Sequence, residues 1–111
     1  MKLSEIKGER VFDVIADIID PIVNIAEDED AADLFKPQAP PEGMTPWQFF
    51  LKRIKKSLPP LTRAHKDDFV KIIASINNVD PDEYKKNVTL GKLLSDVIEL
   101  ITDDEFSSFF G

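Results

Sequence analysis

Hydrophobic residues recur at helical spacing in four stretches of the chain. The first stretch runs from about Glu9 to Ala26, and its apolar residues at positions 11, 14, 15, 18, 22 and 25 share one side of the predicted helix. Asp13, Asp17 and Asp20 fall on the opposite side. Because Pro21 removes one backbone hydrogen bond, we predict that this helix is either kinked or restarted there.

The second stretch follows a recognisable helix start. Thr45 to Gln48 reads as a capping box with Pro46 in the first turn, so a helix is predicted to begin at Pro46. The Pro59–Pro60 pair is predicted to end it. Thr62 is then the expected cap of the third helix.

Local signals also bound the remaining helices. Asn77–Asn78 supplies a left-handed stop for the third helix, and Asp80–Pro81 predicts the start of a short one. Thr89 is the expected cap of the last long stretch. An acidic opening at Asp103 predicts a short terminal turn.

These patterns predict an all-α fold with four to five principal helices. Alternating strand patterns and Asn-Gly or Asp-Gly hairpin turns are absent from the sequence. Four prolines and a glycine lie between residues 36 and 46, which predicts one long exposed loop. We therefore expect a single helical domain over residues 1–111, with helical segments at 1–35 and 46–111 and the Pro-rich loop at 36–45.

Composition narrows the class of protein. The 111 residues include 14 Lys and Arg against 21 Asp and Glu, a formal net charge of -7, and no cysteine. Disulfides, thiolate catalysis and cysteine-based metal sites are therefore excluded. Without a signal-like opening or an apolar run of membrane-spanning length, we expect an acidic, soluble, cytoplasmic protein with no membrane partner.

The charges are unevenly distributed along the chain. The excess of carboxylates disfavours nucleic acid as a partner. An acidic block begins at Glu27, and a basic helix follows it later in the chain. We interpret the acidic block as a solvated turn, because it lacks the glycine and the final Glu of a calcium-binding loop. The two segments suggest self-association, in which the acidic segment of one subunit meets the basic helix of the next. The acidic block is Glu27, Asp28, Glu29, Asp30 and Asp33, and the basic helix carries Lys52, Arg53, Lys55 and Lys56.

Catalytic and cofactor chemistry has little basis in the sequence. His65 is the only histidine, and no nucleophile or acid partner is marked by its spacing. Gly43 and Gly91 belong to no phosphate-cradling loop. We expect no enzyme activity, no cofactor and no metal site.

Phenylalanines are the most promising binding residues. Phe49 lies off the apolar stripe of its helix, and Phe106, Phe109 and Phe110 crowd onto one short terminal turn. Such a turn either presents apolar surface to a partner or folds back as a lid on the core. We take Phe49, the four cations of the basic helix and the three terminal phenylalanines as the candidate partner-binding residues.

The sequence also resembles a known family over nearly its whole length. The opening from Met1 to Arg10, the Asp20-Pro21-Ile22 segment and the run from His65 to Phe69 are similar to the tail assembly chaperones of long-tailed phages and prophages of Gram-positive bacteria. Leu93-Leu94-Ser95-Asp96, leading to Asp103-Asp104-Glu105-Phe106, follows the same layout.

The resemblance implies a small helical protein of the infected cell that is not part of the virion. Such a chaperone coats the tape measure protein and keeps its apolar helices soluble until the tail tube polymerises. Family members commonly exist also as a longer frameshifted form that recruits the tube protein, and codons for Ser108 to Phe110 could supply the slippery run. The family has no catalytic residues to carry over. The alternative is a small helical adaptor or regulatory protein of phage or bacterial origin.

Overall fold

The all-α prediction is confirmed by the computed structural model, which describes residues 2–110. Met1 and Gly111, the two ends of the predicted domain, lie outside the described residues. Within that part of the chain there are seven α-helices, of which four have at least twelve residues and three are short, beside the four to five principal helices that the sequence predicted. The helices are α1 Arg10–Ala26, α2 Glu29–Phe35, α3 Pro46–Ala64, α4 Lys66–Asn77, α5 Pro81–Asn87, α6 Leu90–Ile101 and α7 Asp104–Ser107, with 3-10 turns at Leu3–Glu5 and Ser108–Phe110.

Most helix ends follow the local capping signals. The Thr45 hydroxyl accepts a hydrogen bond from the Gln48 amide at 3.1 Å, and the Gln48 side chain accepts one from the Thr45 amide, as predicted. Asp80 and Thr89 cap α5 and α6, and their side chains accept hydrogen bonds from the amides of Glu83 and Lys92. Asn78 ends α4 in the left-handed conformation with φ 56°.

The predicted end of α3 at the proline pair is wrong. The helix continues through Pro59 and Pro60 to Ala64, although two interior prolines remove two backbone hydrogen bonds. The carbonyls that lose their donors belong to Lys55 and Lys56, which lie on the exposed side of the helix. Continuing the helix also places Leu61 completely inside the core.

The predicted role of Thr62 is wrong for the same reason. Thr62 lies inside α3, where its hydroxyl donates to the carbonyls of Leu58 and Pro59 at 3.0 Å each. It therefore binds the helix behind it instead of capping the one ahead. The next helix, α4, begins at Lys66 directly after His65.

The acidic block is more ordered than a solvated turn. Asp28 caps a seven-residue helix, α2, by accepting a hydrogen bond from the Asp30 amide. The far end of this helix carries Leu34 and Phe35, both buried. The acidic sequence did not predict this helix, because the helix is stabilised by the burial of Leu34 and Phe35 in the core and not by a local signal.

The core lies between two pairs of packed helices and includes a group of aromatic rings. α1 packs along α4, and α2 packs against α3. Phe35 contacts Phe69, Phe106 and Phe110, with ring centroids 6.0, 5.0 and 5.2 Å away. The terminal turn thus folds back onto the core, which was one of the two alternatives left open by the sequence.

The two ends of the chain are joined by a buried carboxylate. Asp103 is 1% exposed and accepts hydrogen bonds from the amides at the start of α7. Its other oxygen accepts a 3.0 Å hydrogen bond from the Ser4 amide. This contact places the Leu3–Glu5 turn beside α7 and shapes the surface described next.

Candidate protein-binding surface

α1 exposes a second apolar side beside the one that it buries. Val14, Ile18, Ile22 and Ile25 face the core. Five further apolar residues of the helix are at least two-fifths exposed, and Phe12 is 76% exposed. At 100° per residue these five fall within about 120° of the helix circumference. We call them the α1 stripe: Val11, Phe12, Ile15, Ile19 and Val23.

The N-terminal half of the stripe continues into a groove. One wall is α1, and the others are the N-terminal turn and the terminal phenylalanine turn. The groove has a volume of about 210 Å³, smaller than the roughly 300–1,000 Å³ typical of small-molecule sites. It therefore suits protruding side chains of a protein partner. We call it the terminal groove: Leu3, Ile6, Val11, Val14, Ile15, Glu105, Ser108 and Phe109 line it.

The terminal phenylalanines separate into core and surface residues. Phe106 is fully buried, so it is not on the surface of this structure. Phe110 is partly buried, and its ring lies 5.4 Å from that of Phe106. Phe109 is 39% exposed and lines the terminal groove. Of the three predicted binding residues on this turn, Phe109 is the one that a partner can reach most easily.

The predicted binding residues on α3 form a separate surface. Lys52, Lys55 and Lys56 are exposed, whereas the Phe49 ring is partly covered by the Arg53 guanidinium 5.5 Å from its centroid. Trp47, on the same helix, is 64% exposed and stacks on Phe50. The apolar side of α3 that carries Trp47 and Phe50 is thus only partly buried at the N-terminal end of the helix.

Arg53 is engaged by its own chain. Its Nε donates to the Asp33 carbonyl at 2.9 Å, and its Nη2 donates to the carbonyls of Leu34 and Lys36 at 2.5 and 2.9 Å. These carbonyls lie at the C-terminal end of α2, where no later helical amide can reach them. Partial burial lowers the pKa of Arg53, and the charge of Asp33 opposes that shift. The guanidinium therefore serves as a cap for α2.

Replacing Arg53 by lysine is expected to lower the free energy of unfolding by about 1–2 kcal/mol, because an ammonium group cannot reproduce the forked contact with three carbonyls. Urea denaturation of the two proteins measures the difference. Lys52→Ala is the control, since Lys52 is exposed on the same helix and should change stability by less than ~0.5 kcal/mol. Equal stabilities for R53K and the unmodified protein would contradict the capping role.

Several members of the acidic block also contact their own chain. Asp33 pairs with Lys56 of the basic helix at 3.4 Å. Asp28 and Asp68 flank His65, with oxygens 2.9 and 3.2 Å from its two ring nitrogens. The block and the basic helix therefore meet within one subunit, and the intersubunit contact between them stays a prediction. Glu27 and Glu29 are exposed.

Between residues 2 and 110, no group of three or more His, Asp or Glu side chains is placed to hold a metal ion. His65 is bracketed by carboxylates and joins α4 to the start of α2. No helix in the same range is long and apolar enough to cross a membrane.

Comparison with known proteins gives no relative with which this surface could be compared. No family model matches the chain, and no curated protein or solved structure shows significant similarity to it. The α1 stripe therefore has to be interpreted from its own geometry. Sequence reasoning missed Phe12, Ile19 and Val23, although their spacing of seven and four residues already places them on one side of the helix.

Proposed function

We propose that this protein is a non-enzymatic phage tail assembly chaperone that binds the tape measure protein and keeps it soluble before the tail tube polymerises. The observation that carries the proposal is the α1 stripe with its adjoining terminal groove. Contiguous apolar surface of this kind, bordered by polar residues, is typical of a protein-binding site. A helix-in-groove contact suits a partner made of long apolar helices.

The charge of the protein fits the same role. A net charge of -7 on 111 residues favours solubility of a complex whose partner is apolar. Binding must also be reversible, because the polymerising tube has to displace the chaperone. Shallow apolar contacts repeated along an extended partner, with self-association of the bound copies, would give that combination. Recruitment of the tube protein by a longer form is part of the same proposal.

Co-expression with the candidate tape measure protein tests the proposal. The tape measure protein is expected to be largely insoluble alone and to co-purify in soluble form with this chain. Combining Phe12→Ser with Phe109→Ser should lower that soluble recovery at least fivefold, because both exposed rings leave the apolar surface. Phe110 is a poor target here, since its ring packs against Phe35 in the core.

Leu90→Ser supplies the matched control. Leu90 is 74% exposed, almost as much as Phe12, but it lies on α6 and does not line the terminal groove. Recovery with this variant should stay within twofold of the unmodified protein. Undiminished recovery with the Phe12/Phe109 double variant would contradict the assigned surface, and failure of the unmodified chain to solubilise its partner would contradict the chaperone function.

The second candidate is a small helical adaptor or regulatory protein that uses the same surface. The exposed stripe favours it equally, because any helical partner could occupy that surface. Gene position separates the two functions. A tail assembly chaperone is expected to be encoded between the genes for the tube and tape measure proteins, and an adaptor is not.

A further inference from the structure

The carboxylates that border the α1 stripe form no ion pair with the described residues, although Arg10 lines the same surface cavity as Glu9 and Asp13. Glu9 lies one turn before Phe12, and Asp20 and Glu27 lie one turn before and after Val23. All three are exposed, as is Asp13 between them. Among residues 2–110, none of the four carboxylates takes part in an ion pair, whereas Asp33, Asp67 and Asp96 each pair with a lysine.

The other border of the apolar surface has the same sign. Glu105, on α7, lines the terminal groove across from α1 and is exposed. Arg10 is the one cation within α1, and it donates to the carbonyls of Ser75 and Ile76 at the end of α4. Lys7, before the start of α1, is the nearest exposed cation in sequence. Acidic groups therefore border the stripe along one side and, at the terminal groove, on the other side as well.

We propose that the α1 stripe and terminal groove bind an amphipathic helix whose apolar face is bordered by lysine and arginine. This inference rests on the proposed function and specifies which segments of the partner are bound. Apolar side chains of the helix cover the stripe, and its cations pair with the four α1 carboxylates and Glu105. Complementary charge of this kind selects partners and accelerates encounter.

The stripe also sets the length of the bound segment. From Val11 to Val23 there are twelve helical steps, which correspond to about 18 Å along the axis. A partner helix lying along it needs about three to four turns, with apolar residues every three or four positions. A second copy docking α1 against α1 is disfavoured, because it would set two acidic borders against each other.

Two synthetic helical peptides of eighteen residues test the proposal directly. They share one leucine stripe and differ only in the flanking residues, which are Lys and Arg in one peptide and Glu in the other. Fluorescence anisotropy with the full chain at low salt should give a Kd at least tenfold lower for the basic peptide. The difference should shrink as salt is raised, since exposed charges are screened. Equal affinities would overturn the proposal.

Variants then assign the contact to α1. Asp20→Lys should weaken the basic peptide at least fivefold, and Glu42→Lys, the same charge change in the exposed loop, should stay within twofold. Phe12→Ser should weaken binding at least tenfold, and Leu90→Ser should not. Circular dichroism checks that each variant is folded. If Asp20→Lys and Glu42→Lys have equal effects, the assignment to α1 is overturned.

Three further outcomes identify what has failed. Sedimentation that shows α1 variants changing the oligomeric state, without changing peptide affinity, would make the stripe an interface with a second copy and overturn the proposal. If the basic peptide shows no preference while the tape measure protein is still kept soluble, only the assigned partner segment fails. If the peptide binds as expected and the tape measure protein stays insoluble, the chaperone function fails and the surface assignment stands.

Discussion

Replacing Phe35 by alanine is expected to lower the free energy of unfolding by about 3–5 kcal/mol. Phe35 is 1% exposed and contacts three other aromatic rings, from α4 and the terminal turn. Its ring is edge-on to Phe106, with an interplanar angle of 84° and a centroid distance of 5.0 Å. Truncation removes these contacts and leaves a cavity that fixed neighbours on several helices cannot close.

Such a loss is large for a domain of this size, because small domains are commonly stable by only about 5–15 kcal/mol. Urea denaturation followed by circular dichroism measures the change. Phe35→Leu should cost less than half as much, since most of the apolar volume is kept. Phe109→Ala removes a ring of the terminal turn that is 39% exposed, and it should lower the free energy of unfolding by less than ~1.5 kcal/mol. Similar values for F35A and F109A would contradict the central position of Phe35.

Above pH ~10 the protein is expected to lose stability through Tyr84 as the pH rises, by at most about 1.4 kcal/mol for each pH unit. Burial raises the pKa of Tyr84 well above its ordinary value, and a 2.6 Å hydrogen bond to Asp96 and the negative charge of that carboxylate raise it further. The unfolded chain then releases the phenol proton while the folded chain keeps it. The contribution of Tyr84 to stability is therefore fully present below the pKa of tyrosine in the unfolded chain, and it is lost as the pH rises above that value.

Tyr84→Phe isolates this effect. At neutral pH the variant should be about 1–2 kcal/mol less stable, because Asp96 loses a buried donor. Above pH ~10 the gap should narrow as the unmodified protein loses its tyrosine contribution. The pKa of Lys85 is also raised, because Lys85 pairs with Asp67. Its effect on the pH dependence of stability is the same in both proteins and does not change the difference between them. Parallel stability curves from pH 8 to 11 would contradict the prediction.

Several helix starts could be predicted because their causes are local. Thr45, Asp80 and Thr89 each bind an amide three residues ahead, so the signal and its effect lie within one turn of chain. Asn78 ends α4 through its own backbone conformation. The all-α class follows from the same short-range evidence together with the helical spacing of apolar residues.

Contacts between distant segments could not be predicted in this way. The Pro59–Pro60 pair stays helical because continuation buries Leu61. Arg53 was a surface residue in the sequence interpretation, and it caps α2 because α2 and α3 pack together. Asp103 was expected to open the terminal turn, and it also binds Ser4 at the other end of the chain.

The candidate site shows the same division. By itself the sequence determined that α1 is an amphipathic helix with apolar residues on one side and acidic residues on the other. Only the tertiary structure decided that Ile18 and Ile22 are covered while Phe12, Ile19 and Val23 are not. The reason is physical: helical periodicity fixes which residues share a side, but burial depends on which segments elsewhere in the chain pack against that side.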